Sequence, residues 1–369
     1  MTSTSPVILI SQNRFHHRLT LPTPNGPLTV SYADIGSPTG PALLLLPGMF
    51  ASRYLGIPMH VIAQRAGVRL LVVDRPGMGA SSEVPLKKRV DIWVDMIPRL
   101  LSHLGIPRIS LVAHSAGTVY LFNTLVTCRG VVWGDVFFLA PWVDTTHSRV
   151  TTMQIAQYIP TSAFALWNKL PRFFVTQATP VLASSGAVLR WISLPASGLG
   201  TGSTTTNDSD PRTHSFLETQ YRLMERDYGV PHEEHAELVR LAVNYMFTEN
   251  TVGANDEALQ CLRKSEGGDW GVCGDYAACV LRVVKRERER ERVATEDGSS
   301  SGRMRVRVYF SAKDALVGGR GQKYFESCWR ASGVEEGVDF GCKVVEGTDH
   351  DTVMQAVGVW EEICAMVTE

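Results

Sequence analysis

A chain passes from a buried strand into a helix within three residues only through a sharp turn, and residues 109–119, ISLVAHSAGTV, have the composition of such a turn. Ile109, Leu111 and Val112 form an apolar run of the kind found inside a parallel sheet. Ala116, Gly117 and Thr118 open a helical pattern carried on by Leu121, Phe122 and Leu125. Ser115 sits between the two. Ala113 and Gly117, two residues to either side, leave space for a turn that drives the serine backbone into a strained conformation with its hydroxyl presented. This is a nucleophile elbow whose usual pattern, G-x-S-x-G, carries alanine in place of the first glycine. The bare pentapeptide describes an ordinary core turn equally well, so the reading depends on its flanks and on what lies downstream.

The flanks repeat one rhythm. Ala42 to Leu46, ALLLL, runs into Pro47-Gly48-Met49-Phe50; Val68 to Val73, VRLLVV, runs into Asp74-Arg75-Pro76-Gly77; Asp135 to Leu139 runs into Pro141-Trp142. Helical spacing separates these runs, from about Ile57 to Ala66 and from Lys88 to Leu104, where Pro98 predicts a kink. Ahead of them, His16 to Leu21 and Pro27 to Tyr32 flank Asn25-Gly26, which predicts an antiparallel hairpin. Near-continuous apolar strands alternating with helices predict an α/β fold, a mostly parallel sheet with helices on both faces. Ligands of such sheets sit at the carboxyl ends of the strands, where Ser115 and the glycine-rich loops fall.

After Trp142 the rhythm stops. Amphipathic pieces follow at Met153 to Tyr158, Ser215 to Tyr228, His235 to Met246, Asp256 to Lys264 and Asp275 to Val284, with a polar loop at Ser197 to Asp210. The run Lys285 to Arg292, KRERERER, sets opposite charges three residues apart and predicts a solvated helical extension. Strand spacing resumes at Arg305 to Phe310, followed by a helix around Gly321 to Arg330, a strand at Phe340 to Val345 and a last helix at Thr352 to Met366. The expected organisation is a sheet core in two parts, residues 1–146 and 303–369, an inserted helical cap at 147–293, and a flexible linker at 294–302.

A serine hydroxyl is a poor nucleophile at neutral pH and needs a base, and the base needs a group that fixes its tautomer. Asp314 and His350 lie beyond the ends of the last two predicted strands, so both loops open at the same sheet edge as Ser115. Alone, Asp314 would read as a helix cap and His350 as a solvated loop histidine. The order Ser, Asp, His at three strand ends makes Ser115, Asp314 and His350 the candidate catalytic residues. Asp144, just after the strand that follows the elbow helix, is the alternative acid. For a developing oxyanion, the expected donors are the N–H groups of Ala116, at the start of a helix, and of Met49 beside Gly48, with Phe50 next in line.

Other patterns are set aside. His232-Glu233-Glu234-His235 spaces its histidines three apart, not the four of a zinc protease motif, and reads as a surface helix start. Gly77-Met78-Gly79 lacks the rest of a dinucleotide fingerprint, and Cys273 and Cys279 lack metal spacing. No metal and no cofactor is expected. With 36 basic against 37 acidic residues, the net charge of −1 gives no general attraction for nucleic acid. No apolar run is long enough for a membrane span, and seven cysteines without metal or disulfide patterning predict reduced thiols in the cytoplasm. Asn207-Asp208-Ser209 fits a glycosylation acceptor but reads as loop. Oligomeric state is left open.

The segments LLLLPGMF, DRPGMGASS, VAHSAG, LAPWV, FSAKDALVG and EGTDHDTV resemble those of the α/β-hydrolase superfamily, in its capped, esterase- and lipase-like branch of serine hydrolases. GDWGVCGDY and GQKYFESCW are similar to stretches of fungal hydrolases of unassigned substrate. The resemblance implies an α/β-hydrolase fold with cap, and cleavage of an ester or related acyl bond of a small-molecule substrate through an acyl-enzyme. Pro47 stands where many relatives have histidine. Serine at the elbow disfavours the epoxide hydrolase and haloalkane dehalogenase branches, which use aspartate there, and the glycine signature of prolyl aminopeptidases is absent. Trp167, Phe173, Phe174, Trp191 and Leu194 in the cap read either as an apolar pocket or as its packing. Two alternatives stand beside hydrolysis: a non-catalytic binder of a small ligand, and an acyltransferase using the same residues.

Overall fold

The computed structural model describes residues 5–24, 26–166, 211–264, 269–296 and 302–369. The apolar runs become the inner strands of one eight-stranded sheet. Its strands are β1 (His17–Thr23), β2 (Gly26–Gly36), β3 (Ala42–Leu46), β4 (Arg69–Val73), β5 (Ile109–His114), β6 (Val132–Leu139), β7 (Met304–Lys313) and β8 (Val338–Asp349). Their spatial order is β1-β2-β4-β3-β5-β6-β7-β8. β1 and β2 form the antiparallel hairpin, closing at Thr23 opposite Gly26, and β2 runs antiparallel to β4. Every pairing from β4 through β8 is parallel. Asn25 of the turn lies outside the described residues.

Every residue of β3 and β5 is buried, as expected of strands covered on both faces. The helix Arg89–His103 buries Val90, Ile92, Trp93, Met96, Ile97, Leu100 and Leu101 on one stripe and continues through Pro98. On one side of the sheet an aromatic cluster fills the interlayer space: Phe122 of the helix Gly117–Thr127 lies 5.3 Å from Phe138 of β6 and 4.9 Å from Tyr276. Phe325 and Trp329, from the helix Gly318–Trp329, close the same cluster.

Between β6 and β7 the described residues hold helices and turns and no strand: Thr145–Ser148, Thr151–Ala156, Pro211–Tyr228, His232–Thr248, Gly253–Cys261 and Tyr276–Glu296. His232–Thr248 packs on the turn Arg53–Met59 and the short helix Pro6–Ile10, and Pro211–Tyr228 packs on β8. Tyr276–Glu296 instead lies against Gly117–Thr127 and Gly318–Trp329, in the layer that covers the sheet. Its charge run is solvated on one side only: Arg292 pairs with Glu289 and Glu296 in solvent, whereas Glu287 is buried and pairs with Arg129. The stretch expected to be a polar loop, Ser197 to Asp210 with Asn207 in it, and the expected cap residues Trp167, Phe173, Phe174, Trp191 and Leu194 lie outside the described residues, as do positions 297–301 of the expected linker.

Among the described residues, no helix is long and apolar enough to cross a membrane. All seven cysteines are free thiols.

Candidate active site

Ser115 takes the left-handed conformation, φ 49°, that a strand-to-helix elbow requires. Two glycines make the turn possible by what they lack. A Cβ on Gly117 would stand 2.1 Å from the Leu46 carbonyl, so only glycine lets the helix start this close to β3. A Cβ on Gly48 would stand 2.8 Å from His114 Nδ1 and 3.3 Å from Ser115 Cβ, so the loop after β3 rests directly on the elbow. Ala113, by contrast, lies fully buried in β5, where the alanine methyl is accommodated. The serine is anchored from both sides: its N–H donates to the Leu139 carbonyl and its carbonyl accepts from the Trp142 N–H, each at 3.2 Å.

β7 runs to Lys313 and β8 to Asp349, so Asp314 and His350 are each the first residue past a strand. β7 is thus longer than its apolar pattern predicts, because Ser311, Ala312 and Lys313 keep strand geometry beyond the last large apolar residue, Phe310. His350 Nε2 lies 2.6 Å from Ser115 Oγ, and its Nδ1 lies 2.8 Å from Asp314 Oδ2. The other Asp314 oxygen accepts from the N–H groups of Leu316 at 3.0 Å and Val317 at 2.8 Å, and Ser311 Oγ donates to Oδ2 at 3.1 Å. All three side chains are buried. Burial opposes the charged imidazole of His350, but the charge and hydrogen bond of Asp314, with Asp351 and Asp349 adding to them, prevail and raise its pKa to about 9. Burial likewise opposes ionised Asp314, yet the facing histidine and the two backbone donors hold its pKa below the usual carboxylate value.

Asp144 is engaged elsewhere. Its Oδ1 accepts from Thr146 N–H at 2.8 Å and from Thr146 Oγ1 at 2.7 Å, capping the helix Thr145–Ser148, and its Oδ2 pairs with Arg263 at 2.6 Å. The histidine is therefore met by Asp314, not by this alternative.

The N–H groups of Ala116 and Met49 make no hydrogen bond among the described residues. Phe50 departs from the ordinary backbone regions with φ 64°, and its side chain is buried. Met49, Phe50 and Ser115 line one wall of an apolar chamber completed by Trp142, Met153, Ala156, Ala258, Cys261, Leu262 and Leu316. The chamber is small, about 30 Å³.

Two residues near the elbow carry no motif of their own. His114 Nε2 donates to the His350 main-chain carbonyl at 2.8 Å. Burial first, and the neighbouring His350 second, lower the His114 pKa to about 4, so this ring is neutral with its proton on Nε2. Arg75, fully buried, donates to the Pro47 carbonyl and to the Gly48 carbonyl at 2.8 Å and meets Glu257 in a two-bond pair. In the sequence Arg75 is marked only by its place in DRPGMG; its partner lies 182 residues away.

His232 opens the helix as expected and reaches Glu218 at 2.9 Å, but His235 is buried, its pKa lowered to about 4 by burial and then by His232, so that segment is only half surface. Among the described residues no group of His, Cys, Asp and Glu has metal-binding geometry.

An eight-stranded, mostly parallel sheet with a serine in a left-handed turn between β5 and its helix has the architecture of the α/β-hydrolase fold. The chain belongs to the alpha/beta hydrolase family, whose model matches residues 43–249, more than half of the sequence, and it is accordingly a hydrolase enzyme. No curated protein sequence matches it. Its fold is similar to that of an epoxide hydrolase of Vigna radiata, with TM-score 0.53 and 14% identity over 95% of this chain and 97% of that one. It is similar as well to a carboxylesterase of Nitrososphaera gargenis (TM-score 0.51, 12% identity, 95% and 99% covered). An esterase of Rhodococcus sp. is a third such structure (TM-score 0.51, 14% identity, 96% and 98% covered). At these identities the likeness is one of fold.

Proposed function

We propose that this enzyme is a serine hydrolase that cleaves an ester, or a related acyl bond, of a small apolar substrate through an acyl-enzyme. The observation that carries the reading is the 2.6 Å contact between Ser115 Oγ and His350 Nε2, made at the floor of an apolar chamber by a serine held at positive φ. Neutral His350 takes the hydroxyl proton at Nε2 as Ser115 Oγ bonds to the acyl carbon. Asp314 keeps the Nδ1 proton in place and favours the imidazolium that results. The N–H groups of Met49 and Ala116 receive the oxyanion, with the helix Gly117–Thr127 contributing the positive end of its dipole. Return of the proton releases the alcohol, and a water repeats the sequence to free the acid.

The same surroundings that raise the pKa of His350 lower the cost of forming its cation in the tetrahedral step. A chamber wall that is apolar apart from Ser115 suits an acyl chain and offers no charged group to a polar one.

Labelling with a fluorophosphonate probe tests the reading. Wild type is expected to label, whereas Ser115→Ala and His350→Ala, folded by circular dichroism, are not. An unlabelled, folded wild type would leave a ligand-binding protein in its place.

A further inference from the structure

The DRPGMG loop after β4 and the helix Gly253–Cys261 are held together at main-chain distance. Gly253 N–H donates to the Gly77 carbonyl at 2.9 Å, Gly79 N–H donates to the Asn250 carbonyl at 2.8 Å, and a Cβ on Gly253 would stand 2.4 Å from the Pro76 carbonyl. Into this seam the loop sends Arg75 and the helix sends Glu257, each with 0% of its surface exposed. The guanidinium meets the carboxylate as a fork, Nε to Oε1 at 2.5 Å and Nη2 to Oε2 at 2.8 Å. Its far side is spent on the loop after β3: Nη1 donates to the Pro47 carbonyl and Nη2 to the Gly48 carbonyl at 2.8 Å. Arg89, equally buried, shares Glu257 Oε1 at 2.9 Å.

The bond to Gly48 bears on the chemistry. The Gly48 carbonyl and the Met49 N–H belong to one planar peptide unit, and the chain contains no cis bond among its described residues, so the two point in opposite directions. Held by Arg75 at 2.8 Å and, from within its own turn, by the Ala51 N–H at 3.1 Å, the carbonyl turns the Met49 N–H away from Arg75. Ser115 lies across this loop, 3.3 Å from where a Gly48 Cβ would be, and Met49 shares the chamber wall with it. A cationic donor on the carbonyl also polarises the amide and strengthens its N–H as a donor.

We propose that Arg75, clamped by Glu257, is the positioning residue of the oxyanion site, setting both the direction and the strength of the Met49 donor. The proposal rests on the serine-hydrolase reading above. It makes the helix Gly253–Cys261 part of the acyl-transfer machinery twice over: Glu257 acts through Arg75, and its neighbours Ala258 and Cys261 wall the chamber.

The test compares wild type, Glu257→Gln, Arg75→Lys and the double variant Arg75→Gln/Glu257→Gln on p-nitrophenyl acetate, with active sites titrated to completion by the fluorophosphonate. Glu257→Gln and the double variant are expected to lower kcat per titrated site at least about tenfold, approaching the ~10²- to 10³-fold loss of a deleted oxyanion donor. KM should stay near its wild-type value, and affinity for a trifluoromethyl ketone should fall by the same factor as kcat/KM. Arg75→Lys, which keeps the charge but not the fork, should fall between. A merely structural ion pair would reduce Tm and the titratable fraction while leaving kcat per site and ketone affinity unchanged; that outcome in any folded variant overturns the proposal. If Glu257→Gln alone does not fold, the double variant, which removes both charges together, gives the answer. Wild type that fails to label sinks the hydrolase reading and this one with it, whereas labelling with unchanged kcat sinks this one alone.

Discussion

The ring of His114 holds the main chain of His350: Nε2 of the residue before the elbow serine donates to the carbonyl of the proposed base at 2.8 Å. The two strand ends that meet in the proposed proton transfer, those of β5 and β8, are thereby joined by a bond distinct from the Ser115–His350 contact. Their rings approach to 5.4 Å between centroids.

Replacing His114 by Phe keeps the volume and removes the donor. The buried His350 carbonyl then loses a partner, which costs about 1–3 kcal/mol. Urea unfolding should report that loss, and kcat should fall by about tenfold as the His350 loop relaxes. Because His114 is neutral throughout the working range, the variant should leave the shape of the pH–rate profile unchanged; a displaced profile would mean that His114 titrates with the reaction.

Protons compete with Ser115 for His350 Nε2. With the pKa of His350 raised to about 9, the neutral base is the minor form near neutrality, and kcat/KM should climb with pH and level off only on the alkaline side. Asp314→Asn removes the principal raising influence, so the midpoint should move down toward or below the usual imidazole value while the rate falls by roughly 10³- to 10⁴-fold. A wild-type profile already flat below pH 6 would contradict the assignment of His350 as base.

Asp144→Asn separates the two candidate acids. Asparagine still caps the helix Thr145–Ser148, and the lost charge affects a pair with partly exposed Arg263, so stability should change by no more than about 1 kcal/mol. Turnover should remain within about threefold of wild type, against the large loss for Asp314→Asn; a comparable loss in both would reopen the choice.

The sheet was legible because β3, β4, β5 and β6 are buried on both faces, and double-sided burial leaves an unbroken apolar run in the sequence. β8 extends beyond its apolar stretch, Phe340 to Val345, because it is the sheet's edge: exposed Asp339 and Glu346 flank that stretch and hide the rest of the strand. The positions of Ser115, Asp314 and His350 could be read from the ends of such runs. What stayed hidden depends on contacts between distant segments. No local pattern marks Glu257 as buried, since its charge becomes tolerable only when Arg75 and Arg89 are folded against it. His114 reads as one more strand residue until the His350 carbonyl is brought to it.

The chamber over Ser115 is small because Leu262, Met153 and Leu316 fill it, and the proposed acyl site is therefore selective by size. Leu262 is 5% exposed and follows the helix that carries Glu257 and Ala258. Leu262→Ala opens space along the apolar wall without altering Ser115, His350 or Asp314. It should cost about 2–5 kcal/mol of stability, the usual price of a buried leucine side chain. The kcat/KM for p-nitrophenyl hexanoate relative to acetate should then rise by at least about tenfold, in line with 1–3 kcal/mol for each methylene a pocket admits or rejects. Measuring both esters on both proteins makes the ratio independent of the fraction folded. An unchanged ratio would place the acyl chain away from this chamber.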